Sequence, residues 1–264
     1  MNEELMKTLE TGVSEVFTSE KYLNYLTLLS RFHNYSISNT ILIFLQNPKA
    51  TLVTGFNNWK KMKRYVKRGE KSIKILAPII KKAKEEKENE DNIENKEKKK
   101  LSGFRFVSVF DISQTEGEDL PTICDELTGD VTDFDELFKK LEGIAQIPVF
   151  FDILQSSKGY YDFSNNKIVI NKGMSQTQTI KTMVHELAHS ILHKNTDKSR
   201  NTAEVEAESV AYVVCNQMGI NTSDYSFDYI ATWSSGRQLK ELKSSLDTIK
   251  NTANDIIDKI RKAD

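Results

Sequence analysis

Apolar residues recur at helical spacing from the start of the chain. Leu5, Leu9, Val13, Val16 and Phe17 form one stripe, and Tyr22, Leu26 and Leu29 continue it beyond a break near Ser19, which predicts two consecutive helices over 3–30. An apolar run at 41–45 predicts a short helix within 36–48, capped by Ser38 or Asn39 and stopped by Asn47-Pro48. Phe56, Trp59, Met62 and Val66 predict a further helix over 56–68, with most of its basic residues off that stripe. A turn at 68–71 leads into a strand over 72–79, in which Pro78 argues for an edge or a strand end. Its expected partner is 103–113. Between them, 81–100 holds 15 charged side chains and no aromatic, so it reads as a solvated loop or frayed helix.

The rest of the chain mixes both periods. A short helix is expected at 133–141, a strand at 149–154, and a hairpin from 159–163 and 167–171 around Ser164-Asn165-Asn166. The second hairpin strand is read as an edge that could hold an extended peptide. A long helix over 177–193, capped by Ser175 or Thr177, precedes one over 203–218 that Gly219 closes. An aromatic segment (Tyr225, Phe227, Tyr229, Trp233) leads to a charged helix from about 238 to 261. The pattern is α+β: N-terminal helices with a small antiparallel sheet, then a second α+β unit, then a helical tail. The segments are placed at 1–122, 123–222 and 223–264.

Composition adds limits. With 264 residues, 38% hydrophobic and 28% charged, the sequence suits a globular chain rather than a disordered one. No stretch approaches the roughly 20 apolar residues of a membrane helix, and the first residues lack the pattern of a signal peptide. Cys124 and Cys215 cannot supply a disulfide framework, so a cytoplasmic setting is expected. The net charge of −1 hides an asymmetry. Residues 1–80 carry 12 basic and 6 acidic side chains, a net of +6, whereas 101–264 carry 17 and 25, a net of −8. Within 47–80 there are nine basic residues and one acid, a net of +8, interleaved with Phe56, Trp59 and Tyr65. Cations for phosphates and aromatics for unstacked bases are the ingredients of a single-strand binder. Lys60, Lys61, Arg64, Tyr65, Lys67, Arg68, Lys71 and Lys74 are the candidate contacts, while Phe56 and Trp59 lie on the apolar face. An acidic protein surface is the alternative partner.

Three of the four histidines fall in the run 185–193. His185, Glu186 and His189 form HExxH on a predicted helix, which puts both imidazoles on one face for a single metal ion. Glu186 is turned about 100° away and would accept a proton from a water that Zn2+ activates. A third ligand is expected from the following helix, where Glu204 and Glu208 share a face with Ala207 and Ala211. Glu204 is favoured as ligand, with Glu208 behind a ligating histidine; the reverse assignment stays open. Glu206 should point away, and His193 is a competing candidate that is better read as structural or as a substrate contact. Tyr160, Tyr161 and Tyr225 are candidates for electrophilic help.

Two sets of residues carry a resemblance. Phe32, Asn34-Tyr35-Ser36, Asn39, Gln46, Pro48-Lys49-Ala50, Val53, Gly55-Phe56, Trp59, Gly69-Glu70-Lys71, Ile75 and Pro78, with 110–115 and Leu120-Pro121, resemble the N-terminal domain of ArdC-type antirestriction proteins. His185-Glu186-Leu187-Ala188-His189 and Glu204-Val205-Glu206-Ala207-Glu208 resemble the metallopeptidase-like domain of that family, itself similar to the ImmA/IrrE zinc peptidases. The resemblance implies single-stranded-DNA binding by the front, a zincin-like back with Glu204 as third ligand, and carriage on conjugative plasmids, integrative elements and phages. It also implies an antirestriction or DNA-protecting role. Two other outcomes fit the same residues: an ImmA-like regulatory protease cutting a repressor or restriction component, or a non-catalytic DNA-binding protein that zinc stabilises.

Overall fold

The computed structural model describes residues 3–82, 99–120, 133–194, 196–222, 225 and 227–263. The expected boundary at 122/123 lies outside them, as does most of 81–100. Two helices open the chain, α1 (Glu3–Val16) and α2 (Ser19–Arg31), separated where the stripe breaks. Helix α3 (Ile37–Gln46) is capped two or three residues earlier than its sequence suggests, by Ser36, whose side chain accepts from the Asn39 N–H. Capping there frees Asn39 for another task, described below.

The helix expected over 56–68 is only two turns long. After β1 (Val53–Gly55), α4 (Phe56–Lys61) ends at Met62, and Lys63 turns left-handed at φ 57°. Strand β2 (Arg64–Val66) follows at once and pairs antiparallel with β5 (Thr115–Gly117). Burial explains the change: Trp59 is fully buried and donates through Nε1 to the Phe110 carbonyl at 3.0 Å, which completes the apolar stripe in two turns. Arg64 then enters the core, where its guanidinium donates to the Thr115 hydroxyl at 2.9 Å and to the Thr115 and Glu118 carbonyls.

The main N-terminal sheet has the order β1-β4-β3, with β3 (Ile73–Lys82) and β4 (Lys99–Asp111) forming a long hairpin. Its ladder runs out to Lys82↔Lys99, so the strands take the first and last two residues of the segment expected to be a loop. Pro78 does lie on an edge strand, and the register shifts by one residue just beyond it, at Ile79/Ile80. Next to α3 that edge is occupied by side chains. The Asn39 amide exchanges two hydrogen bonds with the Leu76 backbone (2.9 and 2.8 Å), and the Gln46 amide does the same with Lys74 (2.9 and 2.8 Å). Asp111 at the end of β4 accepts from the Thr51, Leu52 and Ser113 N–H groups and caps a short 3-10 turn over Ile112–Gln114. The segment 110–115 is therefore a knot that ties the sheet to the preceding loop.

After α5 (Phe134–Ala145), strands β6 (Val149–Asp152), β7 (Gly159–Asp162) and β8 (Lys167–Asn171) form a second sheet in the order β6-β8-β7. The hairpin is as expected, but its second strand is not an edge. β6 pairs with β8 in parallel on one side and β7 pairs antiparallel on the other, so both ladders of β8 are taken. The edge beside the helices is β7. Helices α6 (Gln176–Leu192) and α7 (Arg200–Gln217) pack together, and α8 (Ile230–Ser234) and α9 (Leu239–Lys262) close the chain.

The N-terminal helices, α6, α7 and α9 share one hydrophobic core, from Val13 and Val16 through Leu187 and Val210 to Ile256 and Ile257. Hydroxyls on α2 bond to α7: Tyr22 to Ser209 at 2.8 Å, Thr27 to Tyr212 at 2.7 Å and Ser30 to Asn216 at 2.7 Å. No described helix is long and apolar enough to cross a membrane.

Candidate metal centre

Ser175 caps α6 through the Gln178 N–H, and from that start the helix carries His185 and His189 one turn apart on one side. Ser199 caps α7, and the fully buried Ala188, Ala207 and Ala211 let the two helices approach closely. The result is a triangle. His185 Nε2 and His189 Nε2 stand 3.1 Å apart, and Glu204 Oε2 lies 3.5 and 3.6 Å from them. Zinc bonded to nitrogen and oxygen at about 2.0–2.1 Å in tetrahedral geometry spaces its ligand atoms by about 3.3 Å. The three donors are thus spaced as one face of such a shell would be, and they make up a cluster able to hold a metal ion.

The electrostatics agree with the geometry. Burial works against a charged His185, but the Glu204 and Glu208 carboxylates outweigh it and push the imidazole up to about 10. The same imidazoles hold Glu204 well below the usual carboxylate range. The pocket between the two helices is thus a place that favours positive charge. Glu208 Oε2 lies 2.9 Å from His185 Nδ1, but Nδ1 makes no aligned hydrogen bond, so this is an off-axis charge contact. Glu206 points away from the triangle, into the core, where it is completely buried.

Glu186 sits beside the triangle and is mostly buried. Burial raises its pKa, against the pull of the two imidazoles and a hydrogen bond from the Tyr161 backbone. It faces a cleft of about 280 Å³ lined by Lys158, Gly159, Lys181, Thr182, Glu208 and Tyr225. Gly159, on the β7 edge, has no room for a side chain: a Cβ would meet Thr182 Cγ2 at 2.6 Å and the Val169 carbonyl at 2.9 Å. Gly159→Ala is expected to cost about 1–3 kcal/mol by forcing β7 off α6. A denaturation midpoint equal to that of the parent would show that the sheet can yield there.

Of the three tyrosine candidates, Tyr225 alone lines the cleft. Tyr161 donates its hydroxyl to Asn166 Oδ1 at 2.7 Å, and Tyr160 is half-exposed on the outer part of β7. The structure adds Tyr229, which with Trp233 and Arg237 lines a depression containing Glu204. No sequence signal distinguished it from its aromatic neighbours.

The candidate nucleic-acid contacts divide. Lys60, Lys61, Tyr65, Arg68 and Lys71 are exposed along α4, β2 and the following turn. Lys67 and Lys74 are exposed but also donate, to the Ser113 carbonyl at 3.1 Å and the Ser108 hydroxyl at 2.7 Å. Arg64 is committed to the core, as described. Phe56, placed on the apolar face by its spacing, is instead 45% exposed with the Lys60 ammonium 5.2 Å above its ring. Phe104 and Phe106 add two more exposed aromatics on β4.

Residues 1–110 match the family model described as the N-terminal domain of anti-restriction factor ArdC, and residues 145–217 match that of the IrrE N-terminal-like domain, a peptidase family. An uncharacterized Bacillus anthracis protein, pXO2-81, is 29% identical over 98% of this chain. The chain spans about half (51%) of that relative's length. Crystal structures of the antirestriction ArdC protein from the R388 plasmid, metal-free and Mn(II)-bound, are similar in fold. Each has a TM-score of 0.53 at 19% identity, over 86% of this chain and 84% of that one.

Proposed function

We propose that this chain, an ArdC-type N-terminal domain joined to an IrrE-like domain, is an antirestriction or DNA-protection protein of mobile elements. In this reading it binds single-stranded DNA through its basic front and carries a zincin-like zinc peptidase site behind it. The observation that carries the peptidase half is the triangle of His185, His189 and Glu204 with Glu186 beside it. His185, His189 and Glu204 would hold Zn2+, with Glu208 behind His185. Bound there, zinc supplies Lewis acidity to a water and to a peptide carbonyl. Glu186 takes the proton of the attacking water on its carboxylate and passes it to the departing amine. The Tyr161 N–H holds that carboxylate in place, and the edge of β7 offers backbone groups to an extended peptide.

DNA binding rests on the matched N-terminal domain together with the exposed Lys60, Lys61, Arg68 and Lys71 and the half-exposed rings of Phe56 and Tyr65. The acidic excess of residues 101–264 keeps a polyanion away from the metal cleft, so substrate peptide and DNA would use separate surfaces. The test is a titration of the full chain against a labelled single-stranded oligonucleotide and its duplex at rising salt. Four phosphate contacts at a slope of about −0.7 each predict roughly fifty-fold weaker single-strand binding on going from about 50 to 200 mM salt. Lys60→Glu with Lys61→Glu is expected to flatten that slope by more than one contact. Salt-independent binding, or none, removes the DNA half of the reading.

A further inference from the structure

Behind the metal triangle, on the side away from the cleft, a second line of polar groups runs into the core. The Nδ1 atom of His189 lies 3.0 Å from Nδ1 of His193, and His193 Nε2 lies 3.3 Å from Glu206 Oε2. Glu206 is completely inaccessible to solvent. Both of its oxygens are occupied: Lys198 Nζ donates to each at 2.8 Å, and the Ser245 hydroxyl of α9 donates to Oε1 at 2.7 Å.

We infer that His193, Glu206 and Ser245 are positioning residues for the metal: they fix His189 from behind and make α9 part of the metal machinery. The inference rests on the reading of His185, His189 and Glu204 as ligands, and it assigns a task to the C-terminal helix that the matched domains do not cover.

Proton bookkeeping gives the line one direction. With Nε2 of His189 on the metal, its Nδ1 must carry the hydrogen and donate to Nδ1 of His193. His193 is then an acceptor at Nδ1 and carries its own hydrogen at Nε2, which points at Glu206. The chain ends on a carboxylate whose charge Lys198 balances. Ligating histidines as a rule donate their other nitrogen to a carboxylate or carbonyl. His185 has the Glu208 carboxylate directly against Nδ1, off the hydrogen-bond axis, whereas His189 reaches its carboxylate through an interposed imidazole.

A lysine–glutamate pair could clamp the loop before α7 without any of this. That simpler role does not require His193 between the pair and the ligand, nor a hydroxyl from α9 on the opposite side of the carboxylate. It also predicts a different experimental outcome.

The test uses the full chain and zinc itself, with affinity measured by competition against a chromogenic chelator. The visible spectrum of the cobalt(II)-loaded protein reports the geometry at the metal. Glu206→Gln keeps the shape and removes the charge; it is expected to weaken zinc about 10–100-fold and to shift the cobalt bands. Ser245→Ala, which deletes only a hydroxyl, is expected to weaken zinc in the same direction by a smaller factor. Unchanged affinity and spectrum in a folded Glu206→Gln overturns the inference. If that variant fails to fold, an unchanged Ser245→Ala overturns it instead. Failure of the parent protein to bind zinc would sink the ligand assignment itself, a distinct result.

Discussion

Replacing His189 with alanine is expected to lower bound zinc from about one equivalent to near none. Only His185 and Glu204 remain of the triangle, and two donors do not hold zinc against buffer and competing water. The same change leaves His193 without its partner at Nδ1. Stability should fall with the metal. A ligand held at a thousandfold excess over its dissociation constant contributes about 4 kcal/mol to the folded state. The variant should therefore melt at or somewhat below the temperature of the chelator-treated parent, and adding zinc should move only the parent. It should still fold, because the core shared by α1, α2, α7 and α9 does not run through the metal. Elemental analysis and paired melting curves check both parts. An unchanged zinc content removes His189 from the ligand set.

Glu186→Gln is expected to separate metal binding from chemistry. The amide fills the same space beside the cleft and can still accept from the Tyr161 N–H, so zinc content and melting temperature should match the parent. What the amide cannot do is take a proton from water. General-base assistance of this kind is worth about 10²–10⁴ in rate, so cleavage of a peptide substrate should fall by that factor. Screening restriction and repressor proteins for cleavage by the parent, with this variant as the control, tests the regulatory-protease reading directly. Cleavage at the parental rate would mean that another group is the base.

The face of α6 that carries His185 and His189 was legible because i and i+4 on a helix suffice to define it, and because small residues at 207 and 211 announced a close helix pair. The line behind it was not. His193 and Glu206 meet only through the register of α6 against α7, and Ser245 arrives from 39 residues further on; neither spacing has a local signature. The helix expected over 56–68 was cut short for a different reason. Its stripe of Phe56, Trp59, Met62 and Val66 has helical period, yet one buried Trp59 satisfies it, and the pairing of β2 with β5 claims the rest. Periodicity cannot see a partner strand that lies at 115–117. Arg64 likewise reads as one more surface cation until Thr115 and the Glu118 carbonyl are known to enclose it. The inner position of β8 required knowing that β6 returns alongside it in parallel.

The outer margin of β3 has a consequence for how copies of the protein behave when crowded. A bare strand margin is a template on which a second chain can add its own strand, the first step toward fibres and precipitates. Here Asn39 and Gln46 occupy the hydrogen-bonding groups at Leu76 and Lys74, a proline removes the donor at 78, and a slip in register follows at once. The opposite margin, β1, is three residues long. The long hairpin, with Phe104 and Phe106 exposed on it, can thus offer its face to a partner while the sheet resists growing sideways into aggregates.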